Sequence, residues 1–369
     1  MRSTRLSLLK IRFGSRLFVT GMSRRCQLFD GCARSAYFRA RVNSSMAKLH
    51  IINRAALPFR ADLFLAGMYC SFATDSLAIL DSISCWKCSD SPEDGRLVKM
   101  DVLVDSSLPC DRDARTETHF RGLQHLVFAT IGTHEVFTFD LLRRRVIGAV
   151  SLASASDAAF WNTQWLPITV GVMGTTVGVA PLHSACLDLD GKGLLVAGSS
   201  GAGKSTLSIA LAQCGFSLVS DDWTYLSQED DQLRAHGLSV PVKLLPDAVR
   251  HFHELKALTP RPSFNGELAF EVSPQEIWSV HVKSDSRPEW LMFLERKTAA
   301  GCDFTPYSVA DAREFFEKSA ERLPDELPEA FAARSKVIQA VANCRCWRLR
   351  TGESPQVTAE AIERFCEAN

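Results

Sequence analysis

The sequence has no net charge, because 42 Lys and Arg residues are balanced by 42 Asp and Glu residues. Overall charge therefore predicts no nucleic-acid partner and no attachment to an anionic membrane surface. The sequence also has no uninterrupted apolar run of the roughly 18 residues that a transmembrane helix needs. Residues 166–180 come nearest, but three glycines interrupt them and prolines lie at their edges. We therefore expect no membrane partner.

The cysteines form no disulfide framework. Twelve are scattered along the 369 residues, and Cys85 and Cys88 make a lone CxxC pair without a second pair at zinc-ligand spacing. A chain of this length buries enough apolar surface to fold without disulfides. Free thiols are the favoured interpretation, and a metal site is the minor alternative.

The first 45 residues differ from the rest in composition. They contain nine arginines and a single acid, Asp30. An arginine-rich, acid-poor start is typical of an organelle transit peptide. It also fits an upstream extension, with Met46 as the start of the protein. We favour the second interpretation, because nothing else in the chain requires an organelle, and neither interpretation gives residues 1–45 a place in the core.

The remaining chain is predicted to form two domains, since its length exceeds that of a typical single domain. Residues 46–180 are expected to form a mixed domain rich in β-strands. Residues 181–369 alternate strand and helix signals, which favours an α/β fold. In this second part we predict a hairpin over Gln232–Val242 and a helix near Pro246–Leu255. The predicted fold class is α/β, with the second domain preceded by the β-rich one.

A glycine-rich segment lies between a short apolar strand and a helical run. It reads Gly198-Ser199-Ser200-Gly201-Ala202-Gly203-Lys204-Ser205, the GxxxxGK[ST] pattern of a phosphate-binding loop. A strand is predicted over Leu194–Ala197 before it and a helix over Ser205–Cys214 after it. This context separates a phosphate-binding loop from a chance match. We therefore predict a nucleotide site, with ATP as the nucleotide.

The residue types of this loop suit the chemistry of a triphosphate. Glycines let backbone N–H groups approach the phosphates, and the helix N-terminus adds its dipole. Lys204 is expected to reach the β- and γ-phosphates, and the Ser205 hydroxyl to bind Mg²⁺. The predicted nucleotide contacts are Gly198, Ser199, Ser200, Gly201, Ala202, Gly203, Lys204, Ser205 and Thr206. An ATP site also predicts a reducing, cytoplasmic location.

Two carboxylates follow the next predicted strand. Phe216–Ser220 is a short apolar run that ends in Asp221 and Asp222. Ligands of α/β sheets bind at the carboxyl ends of strands, and successive strand residues point to opposite faces. One carboxylate is therefore suited to help hold Mg²⁺, and the other to accept the proton of an attacking hydroxyl. The alternative is an Asp-Asp turn without function.

Two further residues have both a functional and a structural interpretation. His183 opens the strand pair that leads into the loop, yet an isolated His is more often structural. Arg296 follows a strand predicted over Trp290–Leu294, where it is either a phosphate contact or an ordinary surface arginine. Spacing alone does not decide between these interpretations.

Together these motifs resemble the C-terminal catalytic domain of HPr kinase/phosphorylase. In that family a His precedes the phosphate-binding loop at the spacing of His183. A Gly-x-x-Leu-Val-x-Asp-Asp segment follows about one helix later, as residues 215–222 do here. The resemblance is specific over about Leu182–Trp223. It implies a P-loop domain with the core that the family shares with phosphoenolpyruvate carboxykinases.

The resemblance implies a role for each of these residues. Lys204 and Ser205 would bind phosphate and Mg²⁺. Asp221 would be the catalytic acid/base, Asp222 would assist at the metal, and His183 would lie at the active site. The predicted catalytic residues are thus Asp221, Lys204 and His183, and the predicted metal ligands are Ser205 and Asp222.

The sequence departs from the family pattern after the loop. Thr206 stands where the family usually has Glu. The family's second glycine-rich signature and its later Pro-x-Arg-Pro-Gly-Arg segment are not evident, and Pro241–Asp247 and Phe293–Arg296 stand in their place. Those parts belong to protein-substrate recognition and subunit assembly. The acceptor, and whether the chain forms a homo-oligomer, are therefore left open.

The predicted function is transfer of the γ-phosphoryl group of ATP to a hydroxyl of a protein serine or a small molecule. The alternative is an ATP-sensing regulatory module that transfers nothing. A third interpretation is phosphatase or pyrophosphate chemistry at the same site, which the family resemblance allows. The phosphoryl donor can thus be read from the sequence, whereas the acceptor cannot.

Overall fold

A computed structural model describes residues 57–89, 97–109, 118–132, 134–229, 232–238, 240–263, 267–319 and 327–368. The expectations for residues 1–45 lie outside these ranges. The chain has the expected mixture of helices and sheets and divides into two compact units, with the main division between Ile168 and Thr169. Among the described helices, none is long and apolar enough to cross a membrane.

The first unit is built on a seven-stranded sheet. Its strands are β1 (Phe59–Leu65), β2 (Met68–Thr74), β3 (Leu97–Val104), β4 (Thr118–Leu123), β5 (Leu126–Ile131), β6 (Glu135–Asp140) and β7 (Arg145–Val150). Their order in the sheet is β1-β2-β3-β7-β6-β5-β4. The helical segments are α1 (Leu77–Ser82), a 3₁₀ turn (Ser84–Trp86), α2 (Leu152–Ala155) and a π-helical turn (Phe160–Trp165). Helix α3 (Leu166–Met173) contains the division between the two units. Strands β2, β3 and β7 run parallel, and the β-meander β4 to β7 is antiparallel.

Aromatic side chains fill the core of the first unit. The Trp165 ring stacks on Phe137 with 3.5 Å between their centroids, and Trp161 lies edge-on to Phe72. Phe137 fits against its neighbouring strand because Gly148 lies beside it. A Cβ at Gly148 would be 2.1 Å from the Phe137 ring. The sheet face is therefore shaped by a large residue opposite a glycine.

The second unit contains a nine-stranded sheet and a small three-stranded one. The strands are β8 (Ala180–Leu182), β9 (Ala185–Leu189), β10 (Lys192–Ala197), β11 (Ser217–Ser220), β12 (Thr224–Glu229), β13 (Gln232–His236), β14 (Val242–Leu244), β15 (Arg261–Pro262), β16 (Leu268–Val272), β17 (Asp285–Arg296), β18 (Cys302–Pro306) and β19 (Arg345–Thr351). The large sheet has the order β11-β9-β10-β17-β13-β12-β8, with β19 pairing to both β17 and β18, and the small sheet has the order β14-β16-β15.

The helices of the second unit cover both faces of its large sheet. They are α4 (Lys204–Gln213), α5 (Pro274–Trp278), α6 (Val309–Ser319), α7 (Pro328–Ala342) and α8 (Pro355–Ala368), with 3₁₀ turns at Gly174–Val177, Pro246–Arg250 and His253–Ala257. Because strand residues alternate between faces, Leu194 and Val196 of β10 pack in the core with α4 and α8. Leu195 and Ala197 pack in the other core with α6 and α7. Strand β10 is thus buried on both faces.

Strand directions bring several chain segments to one edge of the large sheet. Strand β10 is parallel to β17, and β17 is parallel to β19. Strand β9 is antiparallel to both β10 and β11, so β10 and β11 run the same way. The carboxyl ends of β10, β11, β17 and β19 therefore meet at the edge where β9 begins. Residues that follow these four strands, or precede β9, are neighbours in space.

Two local predictions in the second unit are wrong. The helix expected near Pro246–Leu255 is instead two 3₁₀ turns, because the chain is extended at Phe252 between them. The hairpin expected over Gln232–Val242 is not formed within that segment. Strand β13 pairs with the preceding β12, whereas β14 pairs with β16. In both cases a contact partner lies outside the predicted segment: strands β12 and β16 for the hairpin, and Gln356, which donates to the carbonyl oxygen of His251, for the two turns.

Candidate active site

The phosphate-binding loop, residues 198–205, begins at the carboxyl end of the buried strand β10. Its backbone passes close to the neighbouring strand, since a Cβ at Gly198 would lie 2.7 Å from the carbonyl oxygen of Leu294. Gly201 and Gly203 adopt φ angles of 80° and 96°, which L side chains rarely take. Helix α4 starts directly afterwards at Lys204. The glycine spacing thus folds the chain into a turn that ends at a helix N-terminus.

The Lys204 side chain lies across this loop. It is only 7 % exposed, and its Nζ donates to the carbonyl oxygens of Gly198 at 3.1 Å and Ser199 at 3.5 Å. Desolvation lowers the Lys204 pKa, while the charges of Asp222 and Asp221 act in the opposite direction. The ammonium is therefore held over the loop with both carboxylates within electrostatic reach.

Asp221 stands in an environment that disfavours its charged form. Burial first, and then the neighbouring Asp222 charge, raise the pKa of Asp221 to about 7, against the opposing effects of the Ser205 and Ser208 hydroxyls and of Lys204. Its Oδ1 atom is buried and has no hydrogen-bond partner among the described residues. A carboxyl group with this pKa exchanges its proton near neutral pH, as a general base must.

Asp222 has a different environment from its neighbour. Its Oδ1 lies 2.8 Å from Nε2 of His183, and the His183 ring stacks on Trp223 with 5.6 Å between centroids. Desolvation alone would raise the Asp222 pKa, but the hydrogen bond and charge of His183, together with Lys204 and Lys243, lower it. Because 57 % of the side chain is exposed, its desolvation is partial and the ion pair sets the direction. The two adjacent carboxyls are thus separated in pKa.

Hydroxyl groups hold the turn that carries these carboxylates. The Ser220 and Thr224 hydroxyl oxygens are 2.6 Å apart, and the Thr224 hydroxyl donates to the carbonyl oxygen of Ser184 at 2.7 Å. All three residues are buried. This network joins the Asp221–Asp222 turn to the segment that carries His183, so the two predicted motifs are positioned together.

Arg296 supports the phosphate-binding loop. Its Nε donates to the carbonyl oxygen of Ala202 at 3.1 Å and its Nη1 to that of Glu353 at 3.3 Å. A Cβ at Gly203 would lie 2.7 Å from Nη2. Arg296 therefore contacts the loop itself, and the phosphate contact that the sequence suggested stays a prediction. The sequence did not point to Glu353, the partner that completes this contact, since no motif links two residues 57 positions apart.

The structure brings several predicted site residues into contact. Lys204 contacts the loop and is within electrostatic reach of both carboxylates, and the Ser205 hydroxyl hydrogen-bonds to Asp221. Asp222 instead has His183 as its ion-pair partner. Ser199, Ser200 and Gly201 are exposed on the loop, while Thr206 is half-buried in α4.

The residues present fit a magnesium ion that also binds nucleotide phosphates. Within the described part of the chain, no group of three or more His, Cys, Asp or Glu side chains suits a metal ion. Mg²⁺, however, usually takes one or two protein oxygens and completes its shell with water and substrate phosphate. The Ser205 hydroxyl and the exposed Asp222 carboxylate are oxygen donors of this kind.

The part of the chain that contains this site is similar in sequence to known proteins. Residues 178–251 match the HPr Serine kinase C-terminal domain. HPr kinase/phosphorylases of Bacillus cereus and Bacillus anthracis are each 32% identical over 85 residues, which cover 23% of this chain and 25% of theirs. The chain thus spans about a quarter of the length of the curated relatives it matches.

A solved structure, the Hpr(Ser) kinase/phosphatase from Coxiella burnetii, matches with 15% sequence identity and a TM-score of 0.30. The match covers 51% of this chain and 91% of that one. The matched family segment contains His183, the phosphate-binding loop and the Asp221–Asp222 turn. The resemblance predicted from those motifs is confirmed: this chain carries an HPr kinase-like segment over residues 178–251.

Proposed function

We propose that the chain binds ATP at the phosphate-binding loop and transfers its γ-phosphoryl group to a hydroxyl acceptor. The observation that carries this proposal is the meeting of three motifs at one sheet edge: His183 before β9, the loop after β10 and the Asp221–Asp222 turn after β11. A loop alone would support only nucleotide binding. A carboxyl with a pKa near 7 beside it adds a group that can accept a proton.

Asp221 is assigned the proton transfer. As the acceptor oxygen bonds to the γ-phosphorus, its hydroxyl proton passes to the Asp221 carboxylate, and the bond from the γ-phosphorus to the bridging oxygen breaks to release ADP. Near pH 7 a substantial fraction of Asp221 is ionised and able to take this proton, because its pKa is about 7. The protonated form is then stabilised by the same burial that raised the pKa.

Lys204 and the loop backbone are assigned the phosphate charge. The Lys204 ammonium would exchange the carbonyl oxygens of Gly198 and Ser199 for phosphate oxygens. Bound Mg²⁺ would supply further neutralisation of the triphosphate. Fixed positive charge at the site of developing negative charge lowers the barrier, since no solvent has to reorganise. The His183–Asp222 pair is assigned to holding the second carboxylate in its ionised form beside this site.

The test is transfer of labelled γ-phosphate from ATP to a panel of acceptors. The panel contains small hydroxyl compounds and serine-bearing carrier proteins, including HPr, and the variants are Asp221→Asn and the matched surface control Asp303→Asn. We expect the wild type and Asp303→Asn to transfer the γ-phosphate, and we expect Asp221→Asn to lose this transfer activity. Full transfer by Asp221→Asn would contradict the role of this carboxylate.

The same panel separates the other functions that the loop permits. Tight ATP binding without transfer to any acceptor would indicate a nucleotide-sensing module. Replacing ATP by inorganic phosphate or pyrophosphate, with a phosphorylated acceptor as the second substrate, measures the reverse chemistry. Net turnover only in that direction would replace the kinase assignment with a phosphorylase or phosphatase one.

A further inference from the structure

A cavity of about 510 Å³ opens between the two 3₁₀ turns Pro246–Arg250 and His253–Ala257. Its wall includes Val249 and the charged or titratable side chains of Asp247, Arg250, His251, His253 and Lys256. A concave space of this volume is of the size that small molecules occupy. The residues of the proposed phosphoryl-transfer site are not among those that line it.

The cavity wall carries an excess of positive charge. Arg250 and Lys256 are both exposed, and the wall has one carboxylate, Asp247. Arg250 Nη2 is 3.1 Å from the Asp247 carboxylate, and its Nε donates to Nε2 of His251 at 2.9 Å. Desolvation and then the charges of Arg250 and Arg296 lower the pKa of His251. Two cations stand against one carboxylate, which is already paired with Arg250, so the net charge of the wall is positive through Lys256 and favours an anion over a cation.

Hydrogen bonds link the cavity wall to the phosphate-binding loop. The carbonyl oxygen of His251 accepts from Nε2 of Gln356, in the first turn of α8. Three residues earlier, the carbonyl oxygen of Glu353 accepts from Arg296, which also donates to Ala202 in the loop. The wall and the loop are thus attached to the same short segment at the end of β19.

We propose that this cavity binds an anionic group, a phosphate or a carboxylate, of a small molecule whose hydroxyl accepts the phosphoryl group. The inference rests on the proposed function, because it names the class of its acceptor. The nucleotide phosphates already have the loop, the helix N-terminus and Lys204 as their partners. A second basic site connected to the loop is suited to the other substrate, which would be held at its acidic end.

Binding of inorganic phosphate tests the cavity. Calorimetry would compare the wild type, the cavity double variant Arg250→Gln/Lys256→Gln and a control double variant of equal charge change on α7 and α8, Lys336→Gln/Arg364→Gln. All four side chains are exposed, so the fold should be retained. Each titration is repeated with a saturating non-hydrolysable ATP analogue and with Lys204→Ala.

The expected result is phosphate binding that persists with the analogue bound and in Lys204→Ala. The phosphate affinity should fall at least ~tenfold in the cavity double variant, since each lost charge-assisted contact typically costs this much or more. The phosphate affinity of the control double variant should be unchanged. Absence of binding, equal binding by both double variants, or full displacement by the analogue would overturn the proposal. Failure of the analogue itself to bind would instead count against the proposed function, since the phosphate titration does not depend on the nucleotide.

Discussion

Replacing Asp221 by Asn should stabilise the protein at alkaline pH while it abolishes phosphoryl transfer. The Asp221 pKa is raised from 3.8 to about 7, mainly by burial and then by Asp222. Between these two values the folded protein holds a proton that the unfolded chain has released. The free energy of unfolding therefore falls as the pH rises through this window, and the full cost is present above pH 7. Asn has nearly the same shape and does not ionise, so the variant lacks this cost.

The magnitude follows from the two pKa values. A change from 3.8 to about 7 corresponds to a cost of about 4 kcal/mol as an upper limit. Local relaxation and entry of water reduce such costs. We expect the stability gain of Asp221→Asn to be about 1–2 kcal/mol larger at pH 8 than at pH 5. For a unit of this size, that gain amounts to about 3–6 °C in Tm.

Thermal unfolding of the wild type and of Asp221→Asn at several values between pH 5 and pH 8 measures this effect. Asp303→Asn is the control, because the Lys297 hydrogen bond lowers the pKa of the exposed Asp303 and gives the opposite sign of pH dependence. It should show no gain at alkaline pH. A Tm difference for Asp221→Asn that is independent of pH would refute the assignment of a raised pKa, whatever happens to activity.

Three further substitutions test the support of the site. Arg296→Lys keeps the charge but loses the planar fork that contacts the loop, so KM for ATP should rise about tenfold with a smaller change in kcat. Gly203→Ala meets both a φ of 96° and the tip of the Arg296 side chain, whereas Gly191→Ala meets only a φ of 88° in open space; calorimetry should find that each costs about 1–2 kcal/mol, and only Gly203→Ala should also raise KM for ATP. His183→Asn removes the partner that lowers the Asp222 pKa, so its Tm should be below that of the wild type at pH 6, and the difference should shrink as the pH falls below the ordinary Asp pKa of 3.8 and Asp222 becomes protonated.

Local motifs made the conformation of the phosphate-binding loop predictable. The glycine, lysine and serine spacing of the loop specifies its own conformation, and the helix expected over Ser205–Cys214 is observed as α4 (Lys204–Gln213). The proximity of Asp221 to the loop was predictable as well, because one helix and one short strand separate them. These features depend on contacts between residues close in the sequence.

Contacts between distant residues were not predictable in the same way. Arg296 reaches the loop because β17 lies parallel to β10, and nothing within the segment Phe293–Arg296 records that pairing. The segment Pro246–Leu255 has the composition of a helix, yet it turns twice to follow the small sheet and the start of α8. The cavity between those turns was invisible in the sequence for the same reason.

The central position of β10 has a consequence for any attempt to study the HPr kinase-like segment by itself. Residues 178–251 contain the recognisable motifs, but the strand that pairs with one side of β10 is β17, which begins at Asp285. In a fragment that ends at residue 251, the side of β10 that normally pairs with β17 would have unpaired backbone N–H and C=O groups, and β10 is an apolar strand. Such an edge recruits other chains. We therefore expect that the segment matching the family model, residues 178–251, does not fold by itself and that a fragment with these limits aggregates.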